Sequence, residues 1–285
     1  MSEFKLVHGD CVLELSNLEP ESIDYTIFSP PFASLYVYSD SINDMGNVAS
    51  DDEFFEHFSF LVKELYRVMK PGRNVSFHCM NLPRTKEKDG VIGLRDFRGA
   101  LIRAFENEDF IFHSEVCIWK DPVTAMQRTK AIGLLYKQLK KDSCISRQGI
   151  PDYLVTMRKP GENPNPVTKI PEEFTVDRWQ EYASPVWMDI NPSNTLQRES
   201  ARDNNDERHI CPLQLEVIER GIALWSNKGD TILSPFAGIG SEGYVALKMD
   251  RKFVGIELKE SYYKKALQNL ENAKAQSGLF EAVIA

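Results

Sequence analysis

The sequence predicts an α/β fold built on a doubly wound, mostly parallel sheet. Short apolar runs typical of strands alternate along the chain with segments whose apolar residues recur at helical spacing, and this alternation favours parallel pairing. With 285 residues, 42% hydrophobic and 27% charged, the chain has the size and composition of one large α/β domain or of a domain with an insertion. No internal repeat or low-complexity tract indicates another architecture.

The individual elements follow from this pattern in chain order. Strands are predicted at 4–7, 24–28, 75–79, 110–119, 153–157, 231–233 and 253–257. Helices are predicted at 54–69, 95–106, 212–225, 241–249 and 261–274. Ser50 followed by Glu53 forms a capping-box pattern before the first of these helices, and Lys70-Pro71-Gly72 is expected to end it. The basic stretch after residue 119 is also expected to be helical, whereas residues 160–192 hold six prolines and are predicted to be irregular.

Composition limits the class of protein. No apolar run approaches the roughly 18 residues of a membrane span. The first ten residues lack the basic and apolar parts of a secretory signal. The five cysteines form no C-x-x-C pair, and the five histidines show no metal-ligand spacing. We therefore expect a cytoplasmic protein with no membrane segment and no metal.

A glycine-bearing turn near the end of the chain has the parts of a nucleotide-type cofactor site. A predicted strand leads into residues 236–240 (FAGIG), where a helix opens, and glycine there lets the backbone bend and a ligand come close. Glu257 ends the next strand, 19 positions after Gly238, where a carboxylate can accept hydrogen bonds from two ribose hydroxyls. The string GIGSEG also matches the dinucleotide fingerprint, so NAD stays an alternative, although Phe236 is atypical of a pyrophosphate site.

A proline corner follows the second predicted strand. Its sequence is Ser29-Pro30-Pro31-Phe32, and its two prolines prevent a central strand from continuing because they donate no backbone hydrogen bond. Taken in isolation, such a tetrapeptide is a polyproline-like turn. Because it follows an apolar strand in a chain that also carries a cofactor turn, we interpret it as a rigid site with one small polar group and one aromatic ring.

Together the two motifs resemble those of the DNA amino-methyltransferases that use S-adenosylmethionine. In that family the catalytic loop is Asp, Asn or Ser followed by Pro-Pro and an aromatic residue, and the cofactor loop is usually D-P-F-x-G-x-G. Here the loops read SPPF (29–32) and SPFAGIG (234–240), in the motif order of the β group. Four further stretches are similar to family segments: LVHGDCVLEL, LYRVMKPGRNVSFH, PDYLVTMRKPG and DERHICPLQLEVIERGI.

This resemblance implies the architecture in more detail. It implies a seven-stranded Rossmann-like methyltransferase sheet with a permuted motif order and an irregular target-recognition insertion. Residues 1–160 would form the catalytic half of the domain, 161–203 the insertion, and 204–285 the cofactor-binding half.

The resemblance also implies S-adenosylmethionine as the cofactor. The implied cofactor contacts are Asp10, Arg208, His209, Ser234, Phe236, Ala237, Gly238, Gly240 and Glu257. Two features depart from the family pattern. Ser234 replaces the usual Asp, and the segment around Arg208 and His209 is a loose version of the family's helix opening.

The implied reaction is methylation of the exocyclic amino group of a flipped adenine or cytosine. That nitrogen is a poor nucleophile because its lone pair is delocalised into the ring. Ser29 Oγ and the carbonyl of Pro30 would accept hydrogen bonds from its two N–H groups, at a corner that Pro31 stiffens. Phe32 would offer a flat face on which the base stacks.

Double-stranded DNA is the implied partner, although the net charge of −8 opposes phosphate binding. Residues 120–147 hold seven Lys or Arg and two Asp, so a local excess of +5 favours this segment as a phosphate contact over a merely solvated face. The predicted DNA or base contacts are Tyr153, Lys130, Lys137, Lys140 and Arg147. The insertion adds Arg178, Trp179, Trp187, Asn191, Asn194 and Gln197. A homodimer is implied by analogy alone.

Three other functions stay open at this point: an RNA or protein-amide methyltransferase, an NAD-dependent enzyme, and a catalytically silent DNA-binding regulator. The first usually carries its cofactor loop before its catalytic loop. Cys211-Pro212 reverses the Pro-Cys order of cytosine C5 methylation, so we predict Cys211 to be a small buried residue. For the target base, Ser29 is the residue more often associated with cytosine N4 enzymes, whereas adenine N6 enzymes are commoner, which slightly favours adenine.

Overall fold

The computed structural model describes residues 3–31, 51–123, 136–196 and 212–284. Several residues named from the sequence lie outside the described residues: Phe32, Ser50, Lys130, Gln197, Arg208, His209 and Cys211. The side chain of Lys137 is outside them too.

Ten strands occur in the described part of the chain: β1 (Phe4–His8), β2 (Ile23–Phe28), β3 (Met69–Cys79), β4 (Leu82–Arg84), β5 (Gly93–Arg95), β6 (Ile111–Ile118), β7 (Asp152–Arg158), β8 (Val186–Trp187), β9 (Thr231–Ser234) and β10 (Lys252–Glu257). Eight of them form one sheet in the order β1-β10-β9-β2-β3-β7-β6-β8, and β4 and β5 form a separate hairpin. All seven predicted strands are present, and six of them lie within two residues of their predicted bounds, whereas β3 begins six residues before the predicted start at residue 75. The sheet gains its eighth strand from β8, which is too short to leave a pattern in the sequence.

The helices in the same ranges are α1 (Cys11–Ser16), α2 (Asp51–Val68), α3 (Lys86–Asp89), α4 (Phe97–Glu106), α5 (Val176–Tyr182), α6 (Leu215–Trp225), α7 (Ser241–Lys248) and α8 (Glu260–Ile284). The prediction of a helix after residue 119 is wrong for residues 136–145, which the structure describes. Residues Tyr136–Lys140 and Ser143–Ile145 there form two short 3-10 helices. Lys70-Pro71-Gly72 lies inside β3 and begins two residues after the end of α2 at Val68.

The pairing of the strands confirms the predicted mostly parallel sheet. β1, β10, β9, β2 and β3 are parallel neighbours, whereas β7 runs antiparallel to both β3 and β6. Apolar side chains cover both faces of the sheet, as a doubly wound fold requires. One core packs the sheet against α1, α2 and α4, and the other packs it against α6, α7 and α8. The carboxyl ends of the five parallel strands consequently lie along one edge.

The region predicted to be irregular contains regular structure. α5 lies between Pro171 and Pro185, and the Thr175 side chain caps it by accepting a hydrogen bond from the backbone N–H of Arg178. β8 pairs in parallel with β6 at the edge of the sheet. The prolines limit these elements to seven and two residues, so neither is long enough to show a period in the sequence.

A buried arginine of α6 holds this region against the domain. Arg220 is 5% exposed, and its guanidinium binds the carboxylates of Glu181 and Asp189. It also lies 5.1 Å from the ring centroids of Tyr182 and Trp187. The insertion is therefore fixed to α6 by one cation shared between two carboxylates and two aromatic rings.

A second charged cluster closes the amino ends of the central strands. Arg73 is 1% exposed, and its Nη2 lies 2.8 Å from Asp24 Oδ1 and 2.5 Å from Asp230 Oδ2. Lys70 Nζ binds the same oxygen of Asp24 at 2.6 Å. Burial alone would raise the pKa of Asp24, but Arg73 and Lys70 hold it below its ordinary value. The cluster joins β2, β3 and the start of β9 at the edge opposite the carboxyl ends.

Replacing Arg73 by methionine should therefore lower the free energy of unfolding by roughly 3–5 kcal/mol, because two buried carboxylates lose their shared cation. Urea denaturation measures this change. The matched control is Lys228→Ala, which removes the exposed 3.1 Å ion pair with Glu173 and should cost less than about 1 kcal/mol. Similar losses in the two variants would contradict this account of the cluster.

Candidate active site

The site is assembled where the carboxyl ends of β2 and β9 lie side by side. β2 pairs with β9 in parallel, with Tyr25 opposite Ile232 and Thr26 opposite Leu233. The turn after β9 therefore lies beside the proline corner after β2. The rings of Phe28 and Phe236 join the two, with their centroids 5.8 Å apart.

The turn after β9 has the backbone of a ligand-binding loop. Gly238 and Gly240 have φ angles of +53° and +86°, a left-handed region that favours glycine. The N–H of Ala237 donates to the carbonyl of Ile256 at 2.8 Å, which anchors the turn on β10. A Cβ added to Gly238 would meet no atom within 4 Å, so the turn presents bare backbone to open space.

Two carboxylates and a hydroxyl surround this turn. Glu257 accepts a hydrogen bond from the backbone N–H of Gly238 at 2.7 Å and another from Lys259 at 2.9 Å. Ser234, at the end of β9, is fully buried, and its Oγ has no hydrogen-bond partner among the described residues. Glu242, in the first turn of α7, is 4% exposed. Burial and the nearby charge of Glu257 raise the pKa of Glu242 to about 8.

Asp10 lies at the next strand end along the same edge. The N–H of Gly9 donates to the backbone carbonyl of Glu257 at 3.1 Å, which brings the end of β1 against the end of β10. Asp10 Oδ1 caps α1 by accepting hydrogen bonds from the N–H groups of Val12 and Leu13, both at 3.0 Å. The side chain predicted to approach the cofactor thus also fixes the start of a helix.

The proline corner carries a hydrogen-bonded chain that the sequence did not reveal. Ser29 Oγ lies 3.2 Å from Nδ1 of His78, and Nε2 of His78 lies 3.0 Å from Oδ2 of Asp152. Only the pairing of β3 with β7, which places His78 opposite Leu154, brings it beside Asp152.

Tyr153, predicted to hold the target base, lies at the start of β7 on the same edge. It is partly buried, and the Arg98 guanidinium lies 4.6 Å from the centroid of its ring. Arg98 is held in turn by Glu115, with Nη1 at 2.7 Å from both carboxylate oxygens. Burial raises the pKa of Tyr153, so its hydroxyl stays protonated at neutral pH.

The predicted DNA contacts of the basic stretch differ in their surroundings. Lys140 is exposed, and its Nζ lies 5.8 Å from the centroid of the Tyr136 ring. Arg147 donates from Nη1 to the carbonyl of Gln148 at 3.0 Å, while its Nε and Nη2 are buried without a partner in the described ranges. Burial lowers the pKa of Arg147.

The candidate base contacts of the insertion are mostly engaged within the protein. Trp187 is 1% exposed and donates from Nε1 to the carbonyl of Tyr182, so its indole belongs to the core. Arg178 binds Glu219 at 2.7 Å, and the amide of Asn194 donates to Glu216 at 3.2 Å. The backbone N–H of Asn191 also donates to Glu216, and its side chain accepts from Ser193. Trp179 has 53% of its surface exposed and is the large side chain of this group that faces solvent.

Within the described residues, no three or more His, Cys, Asp or Glu side chains are grouped closely enough to hold a metal ion. A search of the same residues finds no helix with the length and apolar character needed to cross a membrane.

The fold and the site define an α/β enzyme with a nucleotide-type cofactor loop beside a serine-proline corner. A family model described as DNA methylase, of the N6/N4 type, matches residues 23–268. The chain therefore belongs to the N6/N4 DNA methylase family and is a DNA methyltransferase. This assignment favours methyl transfer to DNA over the RNA, protein-amide and NAD-dependent alternatives that the sequence left open.

Known proteins match this chain over most of its length. It is 25% identical over 278 residues to the DNA adenine methyltransferase YhdJ of Escherichia coli (strain K12). This alignment covers 95% of this chain and 84% of that protein. The structure of TTHA0409 from Thermus thermophilus, complexed with S-adenosyl-L-methionine, has a TM-score of 0.69 and 18% identity over 95% of this chain and 96% of that chain. The structure of the cytosine-N4-specific PvuII DNA methyltransferase has a TM-score of 0.66 and 18% identity over 94% of this chain and 86% of that chain. At these identities the two structures establish the shared fold.

The buried carboxyl of Glu242 makes stability depend on pH. Its pKa rises from an ordinary 4.5 to about 8 on folding, so between these values the folded protein holds a proton that the unfolded chain releases. The contribution of this proton to the free energy of unfolding is fully present below about pH 4.5 and is lost as the pH rises to about 8.

The wild-type protein should therefore lose a few kcal/mol of unfolding free energy between about pH 5 and about pH 8, and the Glu242→Gln variant should not show this loss. Urea denaturation of both proteins across this range measures the difference. Parallel pH dependences of the two proteins would contradict a protonated Glu242.

Proposed function

We propose that this DNA methyltransferase transfers a methyl group from S-adenosylmethionine to the N6 amino group of an adenine flipped out of duplex DNA. The observation that carries the proposal is the position of Ser29. Ser29 directly follows the carboxyl end of β2, and the ring of the preceding residue, Phe28, contacts Phe236 of the turn after β9. An acceptor for the amino group and a cofactor loop therefore share one edge of the sheet.

The residues of the turn fit a nucleoside-type cofactor. The unfilled space at Gly238 allows a ligand to approach the backbone, and the carboxylate of Glu257 lies beside it for the ribose hydroxyls. Ser234 Oγ, buried without a partner among the described atoms, is a further polar group at the end of β9. Bound S-adenosylmethionine supplies an activated methyl group as a sulfonium. Phe236, Ala237, Gly240 and Asp10 would complete the contacts, together with Arg208 and His209.

The proline corner would make the amino nitrogen reactive. The Ser29 hydroxyl and the Pro30 carbonyl would accept its two N–H groups, which concentrates electron density on nitrogen and favours the geometry of attack. Pro31 fixes both acceptors, so little reorganisation is needed in the transition state. Phe32 would stack on the flipped base, and Tyr153, braced by Arg98, would hold it from the side of β7.

Cytosine N4 is the second candidate target. Similarity to the adenine enzyme YhdJ over most of the chain supports adenine, whereas a serine at the first catalytic position is more frequent in cytosine N4 enzymes. Both targets present an amino group of the same geometry to Ser29, so the corner itself serves either base.

Duplex DNA would lie along the basic stretch. Lys140 is exposed there, and Arg147 keeps two guanidinium nitrogens unpaired among the described residues, so a phosphate could satisfy them after a small movement. Lys130 and Lys137 would extend this surface. The resemblance to the family also supports the division into a catalytic half (1–160), an insertion (161–203) and a cofactor-binding half (204–285). We propose a cytoplasmic location and a homodimer for the same reason.

Incubation with duplex DNA and S-adenosylmethionine, followed by digestion to nucleosides, identifies the product. We expect N6-methyladenine, and N4-methylcytosine would move the proposal to its second candidate. Ser29→Ala should lower kcat by roughly a hundredfold, because one acceptor for the amino group is lost.

The affinity of Ser29→Ala for S-adenosylmethionine should stay unchanged. Full activity of this variant would refute the role of the corner. If neither N6-methyladenine nor N4-methylcytosine is formed, the proposed reaction is refuted.

The cofactor loop has a test of its own. Gly238→Ala should weaken binding of S-adenosylmethionine at least about tenfold, because the new methyl group occupies the space left for the ligand. Gly229→Ala is the matched control, since Gly229 also has a positive φ (+80°) and open space at its Cβ but lies before β9, away from the turn. Isothermal titration calorimetry should separate the two variants. Equal affinities would place the cofactor elsewhere.

A further inference from the structure

The hydrogen-bonded chain behind Ser29 is the feature that family membership leaves unexplained. It runs from Ser29 through His78 to Asp152, whose Oδ2 also binds Nζ of Lys120. His78 is 8% exposed and Asp152 is 2% exposed, whereas Ser29 is partly accessible. The chain thus connects a reachable hydroxyl at the proposed base site to a buried charged pair.

The chemistry of these groups sets the direction of each hydrogen bond. Burial alone would raise the pKa of Asp152, but His78 and Lys120 hold it below its ordinary value, so the carboxylate is ionised and only accepts. Nε2 of His78 then carries the hydrogen of this bond, and in the neutral form of the ring Nδ1 is an acceptor. In that form the Ser29 hydroxyl donates to Nδ1, and its lone pairs are left for another donor.

We propose that His78 is a positioning residue that acts through Ser29, both holding the hydroxyl as an acceptor for the base's amino group and receiving the proton which that group loses. The inference rests on the proposed function of the site. A serine hydroxyl can donate a hydrogen bond to the base or accept one from it. When His78 is neutral, the hydroxyl donates its hydrogen to Nδ1, so Ser29 can only accept from the base. Ser29 then behaves as an acceptor without carrying a negative charge.

The proton balance of the reaction requires such a receiver. The amino nitrogen uses its lone pair for the bond to the methyl carbon, and the electrons of the broken sulfur–carbon bond stay on sulfur. The nitrogen then gives up one proton and keeps the electrons of that N–H bond. The proton passes to Ser29 Oγ as the hydroxyl proton of Ser29 passes to Nδ1 of His78, and the imidazolium is stabilised by Asp152 until it releases the proton to solvent.

The charged groups around His78 determine how its proton affects the site. Asp152 faces it from β7, and Lys120 faces Asp152 from the segment after β6. The Arg98–Glu115 pair lies beside Tyr153, which follows Asp152 along β7. When His78 is protonated, both ring nitrogens donate, so Ser29 accepts from Nδ1 and turns its hydrogen toward the base. A protonated His78 would therefore leave the base's amino group without this acceptor.

Nuclear magnetic resonance of the protein without ligands tests the arrangement independently of activity. With ¹⁵N-labelled histidine and His78→Asn to assign the signals, we expect the Nε2–H tautomer of His78 at about pH 8. Ser29→Ala should change the Nδ1 resonance. A neutral ring protonated on Nδ1, or a ring doubly protonated at that pH, would overturn the proposal.

A kinetic variant tests the proton path. His78→Asn should lower kcat about tenfold or more with little change in KM for S-adenosylmethionine, because Ser29 loses the group that receives its proton. An unchanged kcat in His78→Asn would overturn the proposal.

The matched control is Ser76→Ala, on the same strand. It removes the 2.8 Å hydrogen bond between Ser76 and Thr156, which also joins β3 to β7 in the buried sheet. This variant should keep a normal kcat. A loss of kcat like that of His78→Asn would show that loss of a β3–β7 contact alone causes the effect, and would overturn the proposal. If no DNA is methylated at all, the proposed function fails, while the tautomer of His78 still decides the arrangement of the chain.

Discussion

Parallel pairing of β2 with β9 is the constraint on which the rest of the site depends. The two strands are more than 200 positions apart in the sequence, yet their pairing brings Phe28, the last residue of β2, into contact with Phe236, two residues after the end of β9. Side chains that follow parallel strands must emerge at the same edge of the sheet. The corner at Ser29 and the turn at Gly238 are therefore neighbours because of backbone pairing, before any contact between their own side chains.

The two edges of the sheet have different roles, since one stabilises the fold and the other carries the candidate active site. At the amino edge, Arg73 neutralises Asp24 and Asp230 in a buried cluster whose charges are paired within the protein. At the carboxyl edge, polar groups retain capacity for a ligand: Ser234 Oγ has no partner among the described residues, and Gly238 has no side chain. Paired charges hold the central strands together at one edge, whereas Ser234 and Gly238 lie at the edge where a substrate or cofactor can contact them.

Sequence patterns predicted the sheet well because long strands and helices repeat their apolar residues. The two chemical motifs were found for a different reason, since proline pairs and glycine turns restrict the backbone locally. The elements that were missed, such as β8 and α5, are short and are held by tertiary contacts with Arg220 and its aromatic partners. His78 could not be assigned from the sequence either, because its partners Ser29 and Asp152 are 49 and 74 positions away and meet it only through strand pairing.

A crystal structure of the chain with S-adenosylhomocysteine and duplex DNA would test the central claim most directly. The account predicts a flipped base at the proline corner, with its amino nitrogen within about 3.2 Å of Ser29 Oγ and of the Pro30 carbonyl oxygen. A flipped base bound at another edge of the sheet, or bound with its amino group turned away from Ser29, would contradict it.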